Sequence, residues 1–345
     1  MKKLISAILI LAMVVSCMSL SGCGAKNEGA AAQQTPETTA AVDDGYTPDS
    51  TLRILMVGNS FCYYYVEELY ELLMENPPEG IDAVEIYNLY YSGCRLDQHL
   101  EWWKSGIAKY ELFKTDNTGR SKLDPEVWKL EDALMMAEWD YISLQGGVNG
   151  GGYINEQKFN YAMQMIPVVA EPLLDMFHEK FPHAQLLWHS TWYSEVGRVT
   201  DTYTYTEEDG PIYDANLLKV STYMCEEFDK NKPYDLQMVH TGAAWTKARE
   251  LNKTMDLLPY GGLCARLGKN SFGDGSMHSG DGYHDGDIGG AQLLNAYVWY
   301  MTITGRTDVS ASTYAPVYKY QGTLEYPLSA ELIAMLKEAA MSVFQ

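Results

Sequence analysis

Five short apolar runs punctuate this chain, and they constrain its fold more than any other feature. They lie at 52–57 (LRILMV), 84–91 (VEIYNLYY), 141–144 (YISL), 185–189 (QLLWH) and 236–239 (LQMV). Runs this short and continuous suit strands buried on both faces. Segments with helical spacing lie between and after them, at 66–74, 96–110, 130–137, 156–180, 212–228, 242–251, 288–303 and 331–343. Strands alternating with helices predict right-handed crossovers and a parallel sheet covered on both faces. The expected fold is therefore α/β, around a five-stranded parallel sheet. Asp116-Asn117-Thr118-Gly119 marks a turn, so 111–125 is expected as a surface hairpin. Pro167 and Pro172 threaten a kink in the long helix at 156–180.

The N-terminal segment has a different character. Lys2 and Lys3 precede an apolar stretch at 4–15, and Leu20-Ser21-Gly22-Cys23 follows. A basic start, a short apolar core and small residues at the end read as a secretory signal. The core is shorter than the ~20 apolar residues of a membrane-spanning helix. The Leu-Ser-Gly-Cys ending resembles the bacterial lipobox, which implies cleavage before Cys23 and lipidation of that cysteine. Several acyl chains on one residue would anchor the protein stably. Residues 1–22 are thus expected as a lipoprotein signal peptide. Residues 23–50, rich in Ala, Gln, Thr, Glu, Gly and Pro, are expected as a flexible tether. Residues 51–345 form one domain, and the location is bacterial, membrane-anchored and extracytoplasmic.

Charge narrows the partners. The chain has 25 Lys+Arg against 46 Asp+Glu, and removal of Lys2 and Lys3 leaves it more acidic still. Nucleic acid and anionic lipid call for basic patches, so neither is expected as a partner; the membrane is met through the Cys23 lipid alone. The 26 Tyr and 8 Trp include residues suited to stacking on sugar rings, although most should be core. Beyond Cys23 stand Cys62, Cys94, Cys225 and Cys264, with no C-x-x-C spacing among them, and free buried thiols are expected.

In a parallel sheet, ligands sit at the carboxyl ends of the strands. The informative residues lie there. Gly58-Asn59-Ser60-Phe61 follows the first run. A serine in a tight turn before a helix has an exposed hydroxyl with backbone N–H groups nearby. An N-cap uses the same residue types, so the tetrapeptide alone decides nothing. Near the other end stands Asp281-Gly282-Tyr283-His284. An Asp three residues before a His can hold the imidazole tautomer and leave Nε2 to accept a serine proton. The G-x-S-x-G elbow is absent from the chain.

Together these segments resemble the SGNH/GDSL hydrolase superfamily, and more closely a lipoprotein-like branch opening with Gly-Asn-Ser-Phe. The resemblance extends over residues 52–306. It implies a flavodoxin-like three-layer α/β/α sandwich and a serine ester hydrolase, with Ser60 as nucleophile and Asp281 and His284 completing the triad. It implies an oxyanion hole of the Ser60 N–H, the Gly93 N–H in Ser92-Gly93-Cys94, and a third donor after the 141–144 run. Better-known members have Asp where Asn59 stands, and Asn as the third donor. Here Ser143-Leu144-Gln145-Gly146-Gly147 offers Gln145, with Asn149 as the fallback. Asn59, Asn149, His189 and Trp192 are candidates to line the substrate pocket, His189 being equally a candidate for a structural role. Arg95 is a candidate for an anionic group or a surface ion pair.

Superfamily members act on esters, lipids and acetylated carbohydrates. An acylated or acetylated glycan is the expected substrate for a tethered, aromatic-rich protein, with no cofactor. Two rival classes stay open. One is a non-catalytic glycan-binding lipoprotein on the same fold. The other is a metal-dependent hydrolase using His278, Asp281, His284, Asp285 and Asp287, although their spacing matches no defined metal motif.

Overall fold

The computed structural model describes residues 49–145, 156–193, 206, 208–259, 262–264, 288–320 and 324–345. The strands β1 (Thr51–Gly58), β2 (Ala83–Tyr90), β5 (Tyr141–Gln145), β6 (Gln185–His189) and β7 (Gln237–Val239) stand where the five apolar runs predict them. The hairpin β3 (Glu111–Asp116) and β4 (Gly119–Lys122) turns at the Asp116–Gly119 signal. The sheet order is β4-β3-β2-β1-β5-β6-β7. All pairings from β2 to β7 are parallel, while β3 joins β2 antiparallel. The sheet is therefore seven-stranded and mixed, which corrects the expected five-stranded parallel sheet. The hairpin was expected on the surface, and instead it extends the sheet at β2. Leu112 and Phe113 of β3 are buried there, so the pairing removes apolar surface from water. The parallel strands follow the 2-1-3-4-5 order of flavodoxin-like sheets.

Side-chain alternation along β1 shows the layers. Ile54 and Met56 face a core shared with α1 (Val66–Glu75), α6 (Thr241–Met255), α7 (Ala291–Thr304) and α8 (Ala330–Met341). Leu55 and Val57 face a second core, shared with α2 (Leu96–Ser105), α3 (Leu130–Leu134), α4 (Glu156–Lys180) and α5 (Asp209–Thr222). Helix α7 is buried on every side from Ala291 to Ile303, as a helix apolar all round must be. It packs among α1, α6 and α8. Helix α4 runs unbroken through Pro167 and Pro172. Helix α2 stops at Gly106, whose left-handed conformation (φ 63°) lets its N–H cap Trp102 and Trp103. It is thus shorter than the apolar spacing to Tyr110 implies. A separate antiparallel pair, β8 (Val317–Tyr320) and β9 (Leu324–Pro327), has no counterpart in the sequence reading. No helix among the described residues is long and apolar enough to cross a membrane.

Close backbone approach ties α6 to the end of β6. The Gly242 N–H donates to Ser190 O at 3.1 Å. A Cβ on Gly242 would lie 2.1 Å from Thr191 O. That clash is with backbone, which has little room to yield. Gly242→Ala should therefore cost about 3 kcal/mol of stability. Gly80→Asn, at an open left-handed position where an added Cβ meets nothing, should cost about 1 kcal/mol or less. Urea titrations of the two variants beside the wild type check this.

Candidate active site

The carboxyl end of β1 runs into a one-turn 3₁₀ segment, Ser60–Cys62, capped by Asn59. Ser60 is buried at 6% exposure, and its N–H is the first of that turn. A first-turn N–H has no partner within its own helix. The Asn59 carbonyl closes the turn by accepting from Cys62 N at 3.0 Å. Gly58 must be glycine because a Cβ would lie 2.5 Å from Gln145 Oε1 and 2.8 Å from Cys62 Sγ.

Asn59 is fully buried and every polar group of it is used. Its Oδ1 accepts from Phe61 N at 3.0 Å and from Gln145 Nε2 at 2.8 Å. Its Nδ2 donates to Cys94 O at 2.8 Å. Its backbone N–H donates to Gln145 Oε1 at 3.2 Å. Backbone chemistry fixes the amide orientations. The Asn59 N–H can only donate, so Gln145 must present oxygen to it, and its nitrogen then faces Asn59 Oδ1. The Cys94 carbonyl can only accept, so it receives the Asn59 amide nitrogen. Gln145 Nε2 carries a second N–H with no protein acceptor among the described residues.

Gly93 sits in the turn after β2, closed by Cys94 N donating to Tyr91 O at 3.1 Å. Its φ of 66° is left-handed, which glycine adopts without strain. Three strand ends thus converge: β1 with Ser60, β2 through the turn holding Gly93, and β5 with Gln145. The cysteines beside them are not rival nucleophiles. Burial pushes the thiols of Cys62 and Cys94 up to about 12, where they stay protonated and inert. All four described cysteines are unpaired, as expected.

Asp281, His284, His278, Asp285, Asp287 and Asn149 lie outside the described residues, as does Cys23. Among the described residues, no group of three or more His, Cys, Asp or Glu is arranged to hold a metal.

His189 and Trp192 are described, and both are buried. Trp192 stacks on Trp245 (centroids 4.6 Å, planes 9° apart) and touches the Phe61 ring at 4.7 Å. Its rings are engaged in core packing, and Phe61 is the partly exposed aromatic next to Ser60. His189 lies beside Gln145 in the β5–β6 register. Its Nε2 is 3.0 Å from Thr241 Oγ1, which itself donates to Ser190 O. Thr241 therefore accepts from His189 Nε2–H, leaving Nδ1 bare and without a partner among the described residues. Burial holds this imidazole down to about 3, so it is neutral at physiological pH. A mainly apolar cavity of about 290 Å³ opens past Ser190 and Thr191, between α5 and α6. Neither Ser60, Gly93 nor Gln145 lines it, so it is separate from the convergence of strand ends.

Several supporting residues escaped the sequence reading. Arg120 of β4 reaches under the Ser60 segment, donating to Tyr63 O at 2.7 Å with its guanidinium 3.7 Å from the Tyr63 ring centre. Asn88 of β2 donates to Cys62 O at 2.6 Å and accepts from Arg120 at 3.3 Å. His99 stacks on Tyr110 and lies 2.8 Å from its hydroxyl. Burial holds His99 down to about 4. Arg95 takes the surface ion pair, with Asp97 at 2.9 Å.

Residues 53–224 match the family model DUF4886, a domain of unknown function. No curated protein matches the chain. A solved DUF4886 family protein from Bacteroides uniformis superposes with a TM-score of 0.56 at 20% identity, covering 85% of this chain and 95% of that one. The fold is the one seen in a DUF4886 protein. A gut microbial diltiazem-metabolizing enzyme aligns at 12% identity and a TM-score of 0.47, covering 79% of this chain and 50% of that one. A protein described as a GDSL-like lipase, from Parabacteroides merdae, aligns at 19% identity and 0.41, covering 75% of this chain and 99% of that one.

The two buried histidines make stability depend on acid in a defined direction. The unfolded chain takes up their protons near 6.5, whereas the folded chain resists until about 4 for His99 and about 3 for His189. Their contribution is complete above 6.5 and drains away as the pH falls toward 4. For His99 the loss at pH 4.5 is about 2 kcal/mol. Urea midpoints at pH 7 and 4.5 should fall further in the wild type than in His99→Gln.

Proposed function

We propose that this protein is a serine ester hydrolase of the SGNH type, with Ser60 as nucleophile. The observation that carries the reading is the setting of Ser60 at the end of β1. Its own N–H heads a 3₁₀ turn, and beside it Gln145 is held by two hydrogen bonds to Asn59 that leave one amide N–H to give. A preorganised donor beside a buried serine is what an oxyanion requires.

In this reading Ser60 Oγ attacks the ester carbonyl while His284 Nε2 takes the serine proton. The carbonyl oxygen becomes an oxyanion bound by the N–H groups of Ser60 and Gly93 and by the Gln145 amide. Collapse expels the alcohol, which receives the proton from His284. Water then attacks the acyl-enzyme, again losing its proton to His284, and the carboxylic acid leaves as Ser60 is restored. Asp281 holds the His284 tautomer throughout. Asn59 is tied into the protein by bonds to Gln145, Phe61 and Cys94.

We further propose that the substrate is an acylated or acetylated carbohydrate, and that the chain acts outside the cytoplasm from a lipid on Cys23. The motifs at Leu20–Cys23 and the richness in Tyr and Trp support that reading.

Turnover of p-nitrophenyl acetate by the purified protein tests the reaction class. Ser60→Ala should abolish both turnover and labelling by a fluorophosphonate probe, and EDTA should change neither. Gln145→Ala should lower kcat by about 10²–10³-fold, the usual loss of one oxyanion donor. A folded wild type with an unreactive Ser60 would favour the non-catalytic binder. Activity surviving Ser60→Ala but lost with EDTA would favour the metal-dependent hydrolase.

A further inference from the structure

We infer that Asn59 is a positioning residue that acts through Gln145, yoking the third oxyanion donor to the nucleophile turn. This rests on the hydrolase reading and adds to it a residue with its own role.

The argument begins with what a glutamine side chain is by itself. Its three side-chain torsions and its two-fold amide make it a poor fixed donor. An oxyanion donor is useful in proportion to its preorganisation. The structure removes both freedoms with one neighbour. The Asn59 N–H fixes the Gln145 oxygen, and Asn59 Oδ1 fixes the Gln145 nitrogen. A flip of the Gln145 amide would lose both bonds, and a flip of the Asn59 amide would lose the bonds to Gln145 Nε2 and to Cys94 O. Gly58 sharpens the fit, since only the missing Cβ lets Gln145 Oε1 come this close.

The same side chain reaches the other two strand ends. Asn59 Oδ1 caps the turn that begins with Ser60, and Nδ2 holds Cys94 O next to Gly93. An aspartate has no N–H to give Cys94 O. The asparagine at this position therefore matches an acceptor already present after β2, while its oxygen matches the longer side chain from β5. Three of the four bonds are buried, where an unmade hydrogen bond costs most.

Three variants test the yoke: Asn59→Ala, Gln145→Ala and the double variant, with thermal unfolding measured beside the kinetics. Asn59→Ala should lower kcat for p-nitrophenyl acetate by roughly 10–100-fold and leave KM within about twofold. The double variant should lose less than the product of the two single losses, because part of the asparagine's effect runs through the amide already removed. Losses that multiply, or a folded Asn59→Ala with wild-type kcat, would overturn the inference. Asn59→Asp should lose activity as well, since it keeps the acceptor and forfeits the donor.

A second measurement needs no turnover. The Gln145 side-chain amide protons, followed by NMR in ¹⁵N-labelled protein, should exchange slowly in the wild type and at least about tenfold faster in Asn59→Ala, as a buried paired amide requires. Equal exchange in the two proteins would overturn the yoke whatever the activity. An inert wild type with protected Gln145 protons would instead sink the hydrolase reading and leave the pairing standing.

Discussion

Everything at the carboxyl edge of this sheet depends on one buried amide. Three strands end within reach of Asn59, and each would otherwise leave a polar group stranded: a turn N–H after β1, a carbonyl after β2 and a carboxamide at the end of β5. Buried polar groups without partners are costly, and a fully satisfied network is rigid. Asn59 satisfies all three ends. The relative heights of β1, β2 and β5 are thereby set by hydrogen bonds as well as by sheet register.

The layer beneath repeats this logic with charge. Arg120 arrives from the edge hairpin and binds Tyr63 O and Asn88, while Asn88 binds Cys62 O. The segment after Ser60 is thus held from one side by Asn59 and from the other by a guanidinium. This gives the β3–β4 extension a purpose beyond widening the sheet. It also explains why a short strand carrying Gly119, Arg120, Ser121 and Lys122, with little apolar surface of its own, stays paired at the edge.

Much of this was legible in the residues. Apolar runs found the five parallel strands within a residue or two, because strands buried on both faces leave a continuous hydrophobic signature. Ser60, Gly93 and Gln145 were linked through the family resemblance, and the structure sets the strand ends that carry them side by side. The failures have physical causes. Apolar spacing continues to Tyr110 past the end of α2, since Tyr110 is buried from a loop after Gly106 has closed the helix. The hairpin's place in the sheet was invisible because pairing is a long-range choice made by backbone groups that every sequence carries. The roles of Arg120 and Asn88 were hidden for the same reason. The protein bonds of Asn59 were hidden too, since a buried asparagine gives no sign in the sequence of which groups it will meet.

The helices that cover β1 come from opposite ends of the chain. One face of the strand is covered by α2 to α5, all from the first two-thirds. The other is closed by α1 together with α6, α7 and α8, and α7 lies wholly inside that layer. The stretch matching DUF4886, 53–224, holds the described residues hydrogen-bonded to Asn59, and of the four helices on that second face it holds only α1. A chain emerging in order would carry the Ser60 turn long before it could shelter the sheet beneath it. The helices made last are thus the ones that close the face of the first strand.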